Sequence, residues 1–177
     1  MPFEGFELSD FWREDSWARK YACPPLMPAI VAEAERMLGY KLPASYIWLM
    51  ERQNGGVPVK TCFPTCVPTS WADDHIMIET IFGVDVYNRV LVNSILTETK
   101  LMVEEWGYPP IGIAICDCPT GGHQEVFLDY RACGPRGEPK VVYVDQEDAY
   151  SILPLADTFE DFVRGLADSS AYEDEDE

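Results

Sequence analysis

Cysteines and histidines are the residues of this 177-residue chain whose types and spacing could support metal binding or nucleophilic catalysis. They lie at Cys23, Cys62, Cys66, Cys116, Cys118, Cys133, His75 and His123. Structural zinc is held by tetrahedral sets of thiolates and imidazoles, which usually come in closely spaced pairs. The Cys62/Cys66 and Cys116/Cys118 spacings differ from that pattern, and Cys116 lies in an apolar run typical of a buried free thiol. We therefore predict ordinary cysteines with no metal or other cofactor, and we keep a cysteine-based metal site as an alternative.

Nucleophilic catalysis is the second chemistry that these residues could support. Cys118 and His123 are near enough in sequence to form a thiol and its base, but a reactive thiol needs a positive environment and this one is acidic. Carboxylate pairs such as Asp73-Asp74, Glu104-Glu105 and Glu147-Asp148 are expected by composition in so acidic a chain. The sequence also lacks a glycine-rich phosphate loop and a Gly-x-Ser-x-Gly motif. We predict that the protein is not an enzyme, with cysteine-based catalysis kept as an alternative.

The charge of the chain is its most unusual bulk property. Asp and Glu total 31 and Lys and Arg total 13, which gives a formal net charge of −18. Such a surface repels the phosphates of nucleic acids and attracts basic partners, although acidity can also serve solubility alone. No apolar run reaches the ~20 residues needed to span a bilayer. The first residues are acidic, unlike a signal peptide, so we expect a cytoplasmic protein without membrane association.

Apolar periodicity and helix-terminating residues predict helices in the first part of the chain and at its end. Imperfect apolar spacing predicts a first helix over Ser9–Ala22, and clearer stripes predict helices over Pro28–Leu38 and Leu42–Gln53. A further helix is predicted over Ser94–Trp106, and a last one begins after Asp157. We expect one globular domain over residues 1–167, with residues 1–27 as a helical N-terminal extension and residues 168–177 as an acidic mobile tail.

Short apolar or alternating runs predict the strands. They lie at Val57–Cys62, His75–Phe82, Ile111–Cys116, Glu125–Tyr130 and Lys140–Asp145. Because glycine-rich or proline-rich turns separate the last three runs, we expect neighbouring antiparallel strands. The predicted fold class is α+β, a single domain with an antiparallel-dominated sheet of about four to six strands and helices packed on one face.

A set of phrases in this chain resembles the SUKH superfamily, which includes the yeast cell-wall-assembly regulator and many bacterial immunity proteins. The first phrase opens a helix with Leu42-Pro43 and closes it with Asn54-Gly55-Gly56. The others follow in the family's order over roughly Pro28–Leu166: Gly107-Tyr108-Pro109, Ile113-Ala114-Ile115, Gly121-Gly122, Phe127-Leu128-Asp129-Tyr130, Val142-Tyr143-Val144-Asp145 and Thr158-Phe159-Glu160-Asp161-Phe162-Val163. The hairpin turn departs from the Gly-Asp pair that many members carry.

The resemblance implies a non-enzymatic protein-binding domain. Its bacterial members are commonly immunity proteins that neutralise toxins, often nucleases, so we expect a basic toxin as the partner and occlusion as the mechanism. A regulatory scaffold of the yeast type is the alternative. The residues that we expect to face a basic partner are Trp71, Asp73, Asp74, Asp145, Glu147 and Asp148. For Trp71, a loop residue folded onto the core is an equally open interpretation.

Overall fold

The computed structural model describes residues 1–87 and 93–173. The helices among them are α1 (Pro28–Leu38), α2 (Ala44–Arg52), α3 (Ile95–Glu104) and α4 (Phe159–Gly165). The strands are β1 (Cys62–Pro64), β2 (His75–Met77), β3 (Gly112–Asp117), β4 (Gln124–Asp129), β5 (Lys140–Asp145) and β6 (Ser151–Ala156). Short 3₁₀ turns lie at Ala18–Tyr21, Gln146–Asp148 and Ser169–Tyr172.

The strands form two antiparallel sheets, which confirms the predicted α+β class. The larger sheet has the order β3-β4-β5-β6, so each strand pairs with the next one along the chain. The smaller sheet pairs β1 with β2. Strand β6 was not expected, because Pro154 lies inside it and its residues are only partly buried. Proline is tolerated there because β6 is an edge strand, where one side of the backbone needs no partner.

Helices α2 and α4 pack together beside the larger sheet, and α4 also contacts β5 and β6. The rings of Tyr46 and Phe159 meet edge to face with centroids 5.1 Å apart. The Tyr46 hydroxyl also donates a hydrogen bond to the carbonyl of Phe82. The predicted apolar stripes of both helices are therefore confirmed as core, with Phe162 and Val163 also buried.

The outer edge of β3 is covered by other parts of the chain. The Ala114 N–H donates to Thr99 Oγ1 of α3 at 2.9 Å. Further along the strand, the N–H groups of Glu79 and Phe82 donate to the carbonyls of Asp117 and Ile115 at 3.0 and 2.8 Å. These bonds satisfy backbone groups that an open edge would leave available to other chains.

The Asn54-Gly55-Gly56 phrase joins α2 to two distant segments, one at Pro24 and one at Gly83-Val84. The Asn54 amide donates to the carbonyls of Pro24 and Val84 at 2.7 and 2.9 Å, and its oxygen accepts from the Val84 N–H at 2.8 Å. Gly55 has a φ of +82°, which favours glycine, and a Cβ there would lie 2.5 Å from the Gly83 nitrogen. The phrase therefore does more than end a helix, because it lets two backbone segments approach closely.

The predicted helix over Ser9–Ala22 is wrong, since only the 3₁₀ turn at Ala18–Tyr21 forms there. The segment instead folds irregularly through a chain of ring contacts, with Phe3–Phe6, Phe6–Phe11 and Phe11–Trp12 centroids 5.2, 5.8 and 4.7 Å apart. The aromatic spacing does not match a helical period, and the rings pack on one another instead. The extension 1–27 is therefore aromatic rather than helical.

Two other strand predictions were too long. Residues 57–61 lie outside any strand, with β1 beginning at Cys62, and β2 ends at Met77 rather than at residue 82. The remaining residues form only isolated bridges, such as Gly56 with Ile81. The alternating apolar residues in these two stretches belong to loops that cover the core. The period of two was therefore not a reliable sign of a hydrogen-bonded strand here.

Part of the predicted acidic tail is folded. Ser169–Tyr172 form a 3₁₀ turn, and the ring of Tyr172 stacks on His75 with centroids 4.0 Å apart. Residues 174–177 lie outside the described residues. Within the described ranges, no helix is long and apolar enough to cross a membrane.

Candidate partner-binding surface

Asp145 joins the two loops that carry the predicted partner-binding residues. Its side chain is buried, with 2% of the residue exposed. One carboxylate oxygen accepts from the Ser70 N–H at 3.1 Å, and the other accepts from Gln124 Nε2 and the Glu147 N–H at 3.0 and 3.1 Å. The loop of Trp71 and the β5–β6 connection therefore lie against one carboxylate, although the two are far apart in sequence.

The pKa of Asp145 reflects this arrangement. Burial raises it, but the hydrogen bonds from Gln124, Ser70 and Glu147 more than offset that effect, so the pKa lies below its ordinary value. Asp145 stays ionised at neutral pH as an acceptor of internal hydrogen bonds. Because Asp145 is buried under the loops, it is not placed for the direct contact with a partner that the sequence suggested. It is a positioning residue, which holds the two loops together.

The other five predicted residues are exposed above Asp145. We call this set the acidic surface: Trp71, Asp73, Asp74, Glu147 and Asp148. Trp71 keeps 37% of its surface exposed, so its ring is not folded into the core. Glu147 and Asp148 lie in the 3₁₀ turn that Asp145 caps, and the aspartates follow Trp71 on its loop. An exposed indole beside carboxylates can offer a partner both apolar area and charge.

Lysine and arginine are missing from the segments that build this end of the sheet. Residues 61–87, 101–130 and 141–163 contain neither. Asp74 and Glu147 contact histidines instead, through His75 Nδ1 at 2.8 Å and through His123 Nδ1. At the opposite end of the sheet, Asp129 pairs with Arg131. The negative charge of the acidic surface is therefore not neutralised by lysine or arginine side chains of these segments.

The turn beside the acidic surface has an unusual backbone. Ala149 and Tyr150 have φ values of 51° and 60°, in the left-handed region that non-glycine residues rarely occupy. This conformation directs the Tyr150 hydroxyl to the Trp106 carbonyl at 2.5 Å. The ring of Trp106 in turn meets the ring of His123 edge to face, with the ring centroids 6.2 Å apart. The strained turn is thus fixed by an aromatic cluster, which holds Glu147 in place next to it.

Three further carboxyl groups interact beneath this end of the sheet. Asp117 and Glu125 are paired across β3 and β4, and both interact electrostatically with Glu98 of α3. Burial and then Asp117 raise the pKa of Glu98 to about 7. Burial raises that of Asp117 to about 6, against an opposing effect of hydrogen bonds from Thr80. Burial, Asp117 and Glu98 together raise the pKa of Glu125 well above its ordinary value.

We call Glu98, Asp117 and Glu125 the carboxyl cluster, and Glu125 is its most deeply buried member. It is 1% exposed, and its Oε2 atom has no hydrogen-bond partner among the described residues. An ionised carboxylate so placed would be strongly destabilising, so Glu125 holds a proton at neutral pH. Because its carboxyl group is neutral and buried, Glu125 has a structural role and does not present charge to a partner.

The cysteines do not come together as either chemical alternative requires. Cys62, Cys116 and Cys118 are buried, whereas Cys66 and Cys133 are exposed. In the part of the chain that the structure describes, no group of three or more potential ligands is placed to hold a metal ion. Burial and the neighbouring Glu125 raise the pKa of the Cys118 thiol well above its ordinary value. That thiol is a poor nucleophile at neutral pH.

The model of the SMI1/KNR4 family (SUKH-1) matches residues 25–165, which is most of the chain. The chain belongs to the SMI1/KNR4 family. The resemblance of the sequence to the SUKH superfamily is thereby confirmed. No curated protein matches the chain.

Within this SMI1/KNR4 domain, we expect Asp145→Ala to disturb the acidic surface from below. The change leaves the N–H groups of Ser70 and Glu147 and the Gln124 amide without their acceptor, which costs about 2 kcal/mol of unfolding free energy. Hydrogen–deuterium exchange should rise at residues 69–74 and 146–148. Asp129→Ala, at the opposite end of the same sheet, is the control and should leave exchange in these two segments unchanged. Unchanged exchange in Asp145→Ala would contradict the positioning role.

Sequence reasoning missed several residues that shape this family member's surface. Ser70 and Tyr150 act through contacts between distant segments, for which a single sequence carries no signal. His123, which the sequence suggested as a base for Cys118, contacts Glu147 instead. The polar Gln124 opposite Asp145 gives no local hint that both are buried. The absence of Lys and Arg from three long segments was a visible signal that could have pointed to this end of the sheet.

Proposed function

We propose that this SMI1/KNR4-family protein is a non-enzymatic immunity protein whose acidic surface binds a basic protein toxin. The observation that carries the proposal is the acidic surface itself. Its exposed carboxylates lie on the loop of Trp71 and on the β5–β6 connection that Asp145 joins to it, and the contributing segments contain no lysine or arginine. Membership of a family that includes immunity proteins supports the same function. The mechanism is occlusion, in which the bound domain covers the basic surface that the toxin uses on its own target.

Charge and the indole have different roles in this proposal. Carboxylates that are not neutralised attract a basic partner over distance and speed the encounter. Trp71 supplies apolar contact area once the surfaces meet, as aromatic residues do at the centres of interfaces. Asp145 fixes the two loops beforehand, so less conformational freedom is lost on binding. A nuclease fits this surface because a protein that binds phosphates carries the complementary positive charge.

Capture from a lysate of the source organism, with matched variants, tests the proposal. The surface variant Asp73→Asn/Asp74→Asn/Glu147→Gln/Asp148→Asn removes four exposed charges. The control Glu7→Gln/Asp10→Asn/Glu14→Gln/Glu51→Gln removes four exposed charges elsewhere. We expect the wild type and the control to retain one basic protein at ~0.1 M salt and to release it at ~1 M, where screening is strong. The surface variant should retain at least about tenfold less.

Two results would oppose this function. If the surface variant retains the partner as well as the control does, the acidic surface is not the binding site. If the partner is neutral or acidic and stays bound at high salt, a regulatory scaffold becomes the better function. Expression of the captured protein in a host cell then separates binding from immunity, since co-expression of the wild type should restore growth and the surface variant should not.

A further inference from the structure

An apolar groove lies between α1 and α3, with residues 110 and 112 closing one side. Its volume is about 790 Å³. The apolar side chains that line it include Met37, Leu38, Tyr40, Leu101, Val103 and Pro110. Met37 is 48% exposed. We call this feature the α1–α3 groove, and none of its lining residues belongs to the acidic surface.

The charges beside the α1–α3 groove are placed unfavourably for the isolated chain. Glu104 and Glu105 line it at the C-terminal end of α3, and both are exposed. The last turn of α3 contains no basic residue. The C-terminal end of a helix carries partial negative charge, which favours cations there and opposes carboxylates. Lys100, one turn earlier on the same helix, also lines the groove and is the basic residue nearest to these carboxylates along α3.

The apolar lining of the groove and the two carboxylates at the C-terminal end of α3 are together complementary to one kind of occupant. A segment with apolar residues on one face can fill the groove, and positive charges at its end can lie against Glu104 and Glu105. The space between two neighbouring helices suits the side-chain ridge of a third helix. Recognition of this kind, by an amphipathic helix laid into a groove, is common among protein-binding domains.

We propose that the α1–α3 groove binds an amphipathic helix of a partner protein, with Lys or Arg at the end of the helix that meets Glu104 and Glu105. The groove is a second interaction surface and does not depend on the proposed immunity function. A binding site for a small apolar molecule is the competing interpretation, because the volume also suits one.

A pair of synthetic peptides tests this proposal on the full chain. Each has about 14 residues, a helix of ~20 Å, with leucines along one face. One peptide ends in three lysines and the other in three glutamates, and fluorescence anisotropy measures binding of each. We expect the lysine peptide to bind at least about tenfold more tightly than the glutamate peptide. Equal binding of the two peptides to the wild type, or binding of neither, would overturn the proposal.

Protein variants then locate the site. Glu104→Lys/Glu105→Lys should reverse the preference between the peptides, whereas Glu7→Lys/Glu51→Lys changes the charge equally elsewhere and should keep it. Met37→Asp should weaken binding of the lysine peptide at least about tenfold, because it replaces apolar contact area in the groove lining with a charge that the leucine face of the peptide would cover. Val59→Asp is the matched control at another exposed apolar position, where Val59 is 44% exposed. A preference that survives Glu104→Lys/Glu105→Lys would show that the peptides bind elsewhere, as would equal effects of Met37→Asp and Val59→Asp.

Discussion

Replacing Asn54 by alanine should lower the free energy of unfolding by about 3 kcal/mol. The residue is 3% exposed, and its amide makes three hydrogen bonds, to Pro24 and to both backbone groups of Val84. The variant leaves these buried groups without partners, and unsatisfied buried groups are costlier than lost exposed ones. Urea unfolding at pH 7 measures the effect as a lower midpoint with an unchanged slope.

Glu51→Ala provides the control for this prediction, because it lies on the same helix and is exposed. Its effect should stay within about 0.5 kcal/mol. If Asn54→Ala were as mild as Glu51→Ala, the junction of α2 with Pro24 and Val84 would not be important for stability. The structural contribution of the Asn54-Gly55-Gly56 phrase would then come from Gly55 alone, which lets the Gly83 backbone approach closely.

Stability should also fall as the pH rises through the range in which the carboxyl cluster ionises. A carboxyl group with a raised pKa binds more protons in the folded than in the unfolded chain, so the free energy of unfolding decreases with pH. For Asp117 this range runs from the ordinary 3.8 to about 6, and for Glu98 from 4.5 to about 7. For Glu125 the decrease begins at 4.5 and continues for as long as the folded protein keeps that proton.

Glu125→Gln should therefore stabilise the protein at pH 8 by about 1–3 kcal/mol, because glutamine needs no proton to be neutral. At pH 5 the difference should shrink, since wild-type Glu125 is then protonated at little cost. Urea unfolding between pH 5 and pH 8 gives both values. The exposed Glu51→Gln is the control, and its curve should run parallel to that of the wild type. If the free energy of unfolding of Glu125→Gln depended on pH in the same way as that of the wild type, the claim that Glu125 is protonated in the folded protein would be contradicted.

The opposite dependence is expected in acid. Asp145 has a lowered pKa in the folded protein, so its contribution is present at neutral pH and is lost as the pH falls through its folded pKa. The acidic surface should therefore loosen in acid, where the carboxyl cluster below it keeps its protons. Maximum stability is expected between these two losses, on the acidic side of neutrality.

Local patterns were sufficient to predict the elements that build the core. The apolar runs of β3, β4 and β5 and the stripes of α2 and α4 are periodic, and the structure has elements at these places. Pattern failed in the first 27 residues because their aromatic rings pack on one another without a regular period. The apolar pattern also failed to predict β6. This edge strand tolerates Pro154, and its residues are only partly buried, so they show no clear apolar alternation.

The candidate surface was harder to predict than the fold. Acidity and a predicted loop suggested these residues, but their grouping depends on the Asp145 carboxylate. Its contact with Ser70 joins positions that are 75 residues apart in the sequence. Glu125 shows the same difficulty. A charged residue at the start of a strand favours solvent exposure in any sequence-based argument, yet its neighbours in space bury it completely.

Hydrogen–deuterium exchange of the domain, free and bound to the basic protein that it captures, tests the central claim most directly. If the acidic surface is the binding site, residues 69–75 and 146–150 should gain protection on binding, and the opposite end of the sheet around Arg131 and Lys140 should not. Protection confined to that opposite end, with residues 69–75 and 146–150 unchanged, would contradict the account.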